Sequence, residues 1–313
     1  MHQLIMKQSV EFYSMLKNCR LCPRECGVDR TAGKRGACGA GESPVIARAA
    51  LHNWEEPCIS GTQGSGAVFF SGCSLGCVFC QNAAITHSRI LRGKEVSIRQ
   101  LADIFLRLQN EDHAHNLNLV TGTHFLPQIA SALQIAKEES LHIPVIWNSS
   151  GYEKASSLRL LEGLVDVYLP DFKYMSPDLA QNYSHAPDYP RTAKEALAEM
   201  VRQVGELHFD DTRNTLIQKG VIVRHLVLPG HTKEAKTIVR YLHETYKDRI
   251  AISLLNQYTP MEAVQGDPLL KRKVTQREYD RVVDYALQIG VQNGFIQEGK
   301  TAEESFIPVW DEA

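Results

Sequence analysis

The chain has 313 residues with 34 Lys+Arg against 36 Asp+Glu, and a net charge of -2 gives no global electrostatic case for nucleic-acid binding. Hydrophobic residues make up 43% and charged residues 22%, the balance of a globular protein with a sizeable core. No apolar run approaches the roughly 20 residues of a membrane span, and Met1 to Lys7 lacks a signal peptide's apolar region, so a cytoplasmic location and no membrane partner are expected.

Residues 1–60 read as a small N-terminal segment, with a short helix expected from Val10 to Leu16. Cys19, Cys22, Cys26 and Cys38 follow in the spacing C-x2-C-x3-C-x11-C, inside a loop too short to bury a core of its own. A metal held by the four thiolates would supply what the missing core cannot, and structural zinc and an iron–sulfur cluster both suit sulfur ligation. Arg30, Lys34 and Arg35 read as charges that keep this loop solvated, and Cys58 as a small buried hydrophobe.

The apolar run Ala67-Val68-Phe69-Phe70 reads as a buried strand, and Cys73, Cys77 and Cys80 follow it at C-x3-C-x2-C. Thiolates this close on a strand-exit loop can converge on one inorganic centre. Three of them on a four-iron cube leave one iron free, whereas a structural zinc site and a closed ferredoxin cluster each take a fourth ligand.

From residue 66 onward, apolar runs at 66–71, 117–122, 143–149, 164–170, 221–228 and 250–256 alternate with helical patterns at 97–110, 126–138, 153–162, 191–206 and 232–247. A further amphipathic stretch, 275–289, suggests a C-terminal helical extension to a main domain spanning 61–313. Strand followed by helix, six times over, implies a parallel α/β sheet with right-handed crossovers. A dinucleotide-binding loop is excluded because Gly61, Gly64 and Gly66 come before the first strand rather than after it. Residues 176–190 read as a long loop, with Tyr183, His185 and Tyr189 as candidate substrate contacts. Arg224 and His225 sit together in an apolar strand, and strand alternation lets only one of them face the interior.

The three-cysteine spacing, with Phe79 before the last cysteine, resembles the signature of the radical S-adenosylmethionine (SAM) enzymes. Gly72 and Gln81-Asn82 resemble the branch that contains pyruvate formate-lyase and other glycyl-radical-enzyme activases. The resemblance implies a partial TIM-type (β/α)6 barrel. It implies a four-iron, four-sulfur (4Fe-4S) cluster on Cys73, Cys77 and Cys80, with SAM at the free iron and a 5′-deoxyadenosyl radical that abstracts hydrogen. At the strand ends it implies SAM contacts from Thr121, Thr123 and Asn148, from Asp171 and Lys173 of an Asp-x-Lys match, and from Arg224. Thr121-Gly122-Thr123-His124 stands where many members carry Gly-Gly-Glu, and Trp147-Asn148-Ser149-Ser150 stands where activases carry Asp-Thr-Asn-Gly. Asn256-Gln257-Tyr258 would be polar and aromatic contacts at the last strand end. The implied partners are a glycyl radical enzyme and an electron donor such as flavodoxin or ferredoxin. A small molecule or another peptide is the alternative substrate. A two-cluster iron–sulfur electron carrier is the reading from another class, and the polar strand ends argue against it.

Overall fold

The computed structural model describes residues 14–87, 90–210 and 215–297. Most of the helix expected from Val10 to Leu16 lies outside these residues; 14–17 are helical. The main sheet contains β1 (Val45–His52), β2 (Ser65–Phe70), β3 (Lys94–Glu95), β4 (Leu117–Val120), β5 (Val145–Ser149), β6 (Val167–Pro170), β8 (Ile217–Leu226), β9 (Ala251–Leu255) and β10 (Gly294–Ile296), with a short β7 (His208–Phe209) pairing β8 at the side. Its order is β10-β9-β8-β6-β5-β4-β2-β1-β3.

From β2 to β10 the strands pair in parallel and in chain order. A doubly wound sheet reverses its order at a switch point, placing helices on both faces. Here the order never reverses, so every crossover returns on the same side and the sheet curls into an open barrel. The longer helices are α1 (Ile98–Asn110), α2 (Leu126–Glu138), α3 (Pro177–Ser184), α4 (Tyr189–Val204), α5 (Thr232–Tyr246) and α6 (Gln276–Gln288). α1 and α6 start on capping boxes, Ser97 with Gln100 and Thr275 with Glu278, each worth about 1 kcal/mol.

Strand alternation divides the core in two. Val68, Phe70, Leu117, Leu119, Val145, Trp147, Val221 and Val223 pack outward against the helices. Ile146, Val167, Leu169, Ile222 and Ala251 point inward and close over Cys58 and Ile59. Those two belong to the short helix Pro57–Ser60, which follows β1. β1 runs antiparallel to β2, with His52 opposite Ser65, so the chain leaving β1 emerges beneath the barrel and plugs it. The sheet thereby takes a strand, and the barrel its plug, from within residues 1–60. Cys58 is a buried hydrophobe there, and burial pushes its thiol up to about 12.

Elsewhere too the structure differs from the sequence reading. The stretch 176–190 is not a loop: Ser176 caps the helix Pro177–Ser184 through Leu179 N (3.3 Å), and the chain turns on His185 at positive φ into α4. A seventh parallel strand, β10, follows the last helix; Gly294–Ile296 is too short for periodicity to reveal. Arg30 does not solvate its loop. It is 1% exposed, donates to the carbonyls of Gly41 and His124 (both 2.6 Å), and lies over the Phe125 ring.

Candidate active site

Inward-facing positions above the apolar plug turn polar toward the strand C-termini, where barrel enzymes carry their chemistry. They line a cavity of about 320 Å³ that holds Cys73, Cys77, Cys80, Phe79, Thr121, Asn148, Asp171, Lys173 and Arg224. These come from the exits of β2, β4, β5 and β6 and from the inner face of β8. No stretch of sequence longer than the cysteine loop joins them; the barrel does.

The cysteine loop is held from several sides. Gly72 has φ +90, and a side chain there would strike the Cys38 carbonyl. His124 donates from Nε2 to the Ser71 carbonyl at 2.7 Å, which makes it a strut beneath the loop. Each sulfur has a polar neighbour: Leu75 N approaches Cys73 Sγ at 3.4 Å, Ser184 Oγ donates to Cys77 Sγ at 3.2 Å, and Thr86 Oγ1 lies 3.4 Å from Cys80 Sγ. Such donors suit thiolates. As free thiols these cysteines are not acidic: burial pushes Cys77 up to about 12, against the pull of the Lys173 charge, and also raises Cys80. A bound metal overrides this by holding the deprotonated sulfur. Among the described residues no three His, Cys, Asp or Glu side chains form a group placed to hold a metal ion. A cluster meets each thiolate at a different iron, so its ligands need not converge on one point. The donor set, the polar neighbours and the adjoining cavity fit a cluster.

Phe79 lines the same cavity and packs edge-on against Tyr174, Tyr183 and Tyr258 at 6.2–6.4 Å. Lys173 Nζ donates to Asp171 Oδ2 at 2.7 Å. Burial opposes the Lys173 charge, but Asp171 and then Cys77 outweigh it and hold the ammonium above its ordinary range. Thr121 takes a positive φ of 60°, and its N–H donates to the Asn148 carbonyl at 2.9 Å.

Thr123, expected beside the cofactor with Thr121, turns away in the 3-10 turn Thr123–Phe125. Its hydroxyl donates to Glu153 Oε1 at 2.8 Å, and Glu153 also accepts from Trp147 Nε1 (2.9 Å) and Ser149 Oγ (2.5 Å). Glu153 is fully buried, and burial raises its carboxyl, opposed by those three donors. Tyr189 and Tyr183, candidate substrate contacts, are struts: the Tyr189 hydroxyl accepts from Lys173 N (2.9 Å) and donates to the Ser150 carbonyl (2.8 Å), while that of Tyr183 lies 3.0 Å from His231 Nε2. His185 is the exposed cap of α3. Of Arg224 and His225, Arg224 faces the cavity and His225 packs on the outer side with Nδ1 on the Phe172 carbonyl (2.8 Å). Gln257 lines the cavity, and its carbonyl accepts from Gln81 Nε2 at 2.7 Å. Tyr258 is buried behind Phe79 with its hydroxyl on the Leu270 carbonyl. Asn256 donates its N–H to Gln297 Oε1.

Sequence reading missed Glu55 and Glu56. They follow β1 and reach up through the barrel floor, where both carboxylates grip the Arg224 guanidinium; Arg224 Nε donates to Glu56 Oε1 at 2.9 Å. Two adjacent carboxylates before Pro57 were a visible signal, but only the tertiary fold brings that loop under β8.

The four N-terminal cysteines share one neighbourhood. Cys22 is pushed up to about 12 by burial, opposed by a hydrogen bond from the Arg24 backbone and reinforced by Cys38, Cys19 and Cys26. The element is bolted to the cluster loop by Arg24, which donates to the carbonyls of Ser74 (2.9 Å), Leu75 (3.0 Å) and Ser184 (2.8 Å). A second hollow is lined by both Cys73 and Cys38.

A three-thiol loop leaving the first parallel strand of an open barrel, above a cavity with a buried lysine, defines a class of enzyme that works through an iron–sulfur cluster. Residues 67–242 match the Radical SAM superfamily, and the chain belongs to it. Cleavage of SAM at an iron–sulfur cluster comes with that membership. The uncharacterized protein MJ0674 of Methanocaldococcus jannaschii is 29% identical over 282 residues, covering 87% of this chain and 75% of that protein. Among solved structures, Streptococcus suis SuiB bound to precursor peptide SuiA is similar over 74% of this chain and 48% of its own (19% identity, TM-score 0.49). Methylornithine synthase PylB is similar over 69% of this chain and 59% of its own (12% identity, TM-score 0.48). QueE of Escherichia coli is similar over 82% and 94% (10% identity, TM-score 0.42). The chain thus spans about half the length of the SuiB chain. Among the described residues no helix is long and apolar enough to cross a membrane.

Proposed function

We propose that Cys73, Cys77 and Cys80 hold a 4Fe-4S cluster and that SAM binds beside it in the cavity, against Thr121, Asn148, Asp171 and Lys173. When bound, cluster and SAM supply the chemistry: one electron from a flavodoxin- or ferredoxin-class donor splits SAM into methionine and a 5′-deoxyadenosyl radical, which takes a hydrogen atom from the substrate. The observation that carries the reading is the cationic Lys173, buried in the same cavity as the three thiols and oriented by Asp171. Its ammonium is a compact point charge suited to the SAM carboxylate. Asn148 and the Thr121 hydroxyl supply neutral hydrogen-bonding groups for the amino end, in place of a carboxylate. The aromatic wall around Phe79 keeps water from the reacting carbon.

The motif at 71–82 and Asp171-Phe172-Lys173 favour a glycyl radical enzyme's loop as the molecule attacked. A second reading, a small molecule or another peptide, is favoured by Glu55 and Glu56, which charge the cavity floor in a way a glycyl loop does not require. The N-terminal cysteines would hold zinc or a second iron–sulfur cluster next to the first.

Anaerobically reconstituted protein with dithionite should release 5′-deoxyadenosine from SAM, Cys77→Ala should not, and Lys173→Met should raise the KM for SAM at least tenfold. Equal turnover in wild type and Cys77→Ala would overturn the reading. Hydrogen-deuterium exchange into 5′-deoxyadenosine from a labelled glycyl peptide, set against labelled amines, separates the two substrate readings.

A further inference from the structure

The cavity floor carries more negative charge than its own cation answers. The Glu55 and Glu56 side chains are 6% and 4% exposed, and both bear on the single guanidinium of Arg224. Among the lining residues, Glu55, Glu56 and Asp171 face Lys173, Arg224 and His52; Lys173 is already paired with Asp171, and burial holds the His52 imidazole below its ordinary value, so it brings no full charge at neutral pH. One carboxylate on the floor is therefore in excess. Burying an unanswered carboxylate is costly, and folded proteins pair such charges. A second observation comes from the inner face of β4. Asn118 is fully buried and donates from Nδ2 to Glu55 Oε1 at 2.7 Å, yet its Oδ1 finds no partner among the described residues. The Glu55 carboxylate, with lone pairs beyond those that Arg224 and Asn118 fill, and the unpartnered Asn118 carbonyl oxygen behind it can take the N–H groups of an ammonium.

We propose that Glu55, with Asn118, is the recognition site for a primary alkylammonium group on the molecule that the radical attacks. This rests on the radical SAM reading and names the substrate class for it. The group enters from the cavity and places its cation on the floor. The carbons next to it then lie between floor and cysteine loop, where the 5′-deoxyadenosyl radical is released. The same chemistry is offered by a free diamine or amino acid and by a lysine side chain in a peptide. Arg224 is the positioning residue, since it fixes Glu56 and half-neutralises Glu55.

Calorimetric titration of the reconstituted protein, with SAM present, would test this. The probes are 1,4-diaminobutane, free lysine and an acetylated lysine peptide amide, each against its neutral hydroxyl analogue. At least one amine should bind tenfold or more tightly than its analogue. Glu55→Gln should erase the preference and Glu55→Asp should retain part of it, with thermal melting to verify folding. Free lysine binding without the peptide assigns a small molecule, and the reverse assigns a peptide. Equal binding of amines and analogues would overturn the proposal. Strict competition between SAM and the amines would also overturn it, by assigning the floor to SAM. 5′-Deoxyadenosine formation without any amine reads the underlying function separately. A protein that cleaves SAM but shows no amine preference refutes only the floor site, whereas one that prefers amines without cleaving SAM refutes only the radical reading.

Discussion

Acidification from pH 7.5 to 5 should loosen this protein through two buried histidines that brace the site. His124 holds the Ser71 carbonyl from Nε2, and its Nδ1 has no partner among the described residues; His225 holds the Phe172 carbonyl, next to Lys173, from Nδ1, and its Nε2 is likewise unpartnered. Protonating either would put a cation in the core with a bare N–H. Burial accordingly pushes His124 down to about 3 and His225 to about 4, against a hydrogen bond to backbone in each case. Both folded values lie below 6.5, so between 6.5 and about 4 the unfolded chain takes up protons that the folded chain refuses. Stability is therefore full above 6.5 and falls as the pH drops. At pH 5, one and a half pH units below the unfolded value, each histidine costs about 2 kcal/mol, about 4 kcal/mol together. Glu153, raised by burial, acts in the opposite direction, because its folded form holds a proton more readily as the pH falls. Urea unfolding of wild type, His124→Gln and His225→Gln at pH 7.5 and 5.0 isolates the effect, and any pH dependence of the cluster cancels in the differences. Each substitution should flatten the profile by about 2 kcal/mol. Profiles identical in all three proteins would refute the assignment.

Arg24→Ala removes charged hydrogen bonds to the cluster loop and to α3; with partial solvent access, a loss of about 2–4 kcal/mol in urea unfolding is expected, together with less iron per chain. A loss below about 0.5 kcal/mol would show that water replaces these contacts. Gly72→Ala combines a φ of +90 with a collision at the Cys38 carbonyl and should cost about 2–3 kcal/mol and halve the iron taken up on reconstitution. Iron and zinc per chain, measured with Cys19 and Cys22 both replaced by alanine, should fall by one site's content while Cys73, Cys77 and Cys80 keep theirs; unchanged metal would remove the second site. Glu153→Gln sets an amide N–H₂ against one of three donors and should raise the KM for SAM through the displaced Ser149 more than it lowers kcat. An equal loss of both would mark a general structural defect instead.

Much of this protein is local and therefore readable in its sequence. The cysteine loop needs no distant contact to be recognised, because its ligands lie within eight residues of one another on one strand exit. The strands from 117 to 255 and the helices from 98 to 288 follow from apolar periodicity, since parallel strands buried on both faces show as apolar runs and helices as amphipathic stripes. Asp171 and Lys173 were legible because a charged pair ending a buried strand needs a partner. Alternation admitted only one of Arg224 and His225 to the interior, and the resemblance pointed to Arg224, which the structure places there. What tertiary structure alone decided is where chains far apart in sequence meet. Thr123 faces Glu153 rather than the cavity because it opens a 3-10 turn after β4. Arg30 is buried because the N-terminal loop docks on β4's exit. Glu55 and Glu56 are 169 and 168 residues from Arg224, and they enter the site only because β1 runs backwards along β2 and delivers its tail beneath the barrel. The sequence by itself determined the three cysteines and the charged pair at the mouth of the cavity. The fold determined its floor, because the charge there comes from side chains that no local pattern joins.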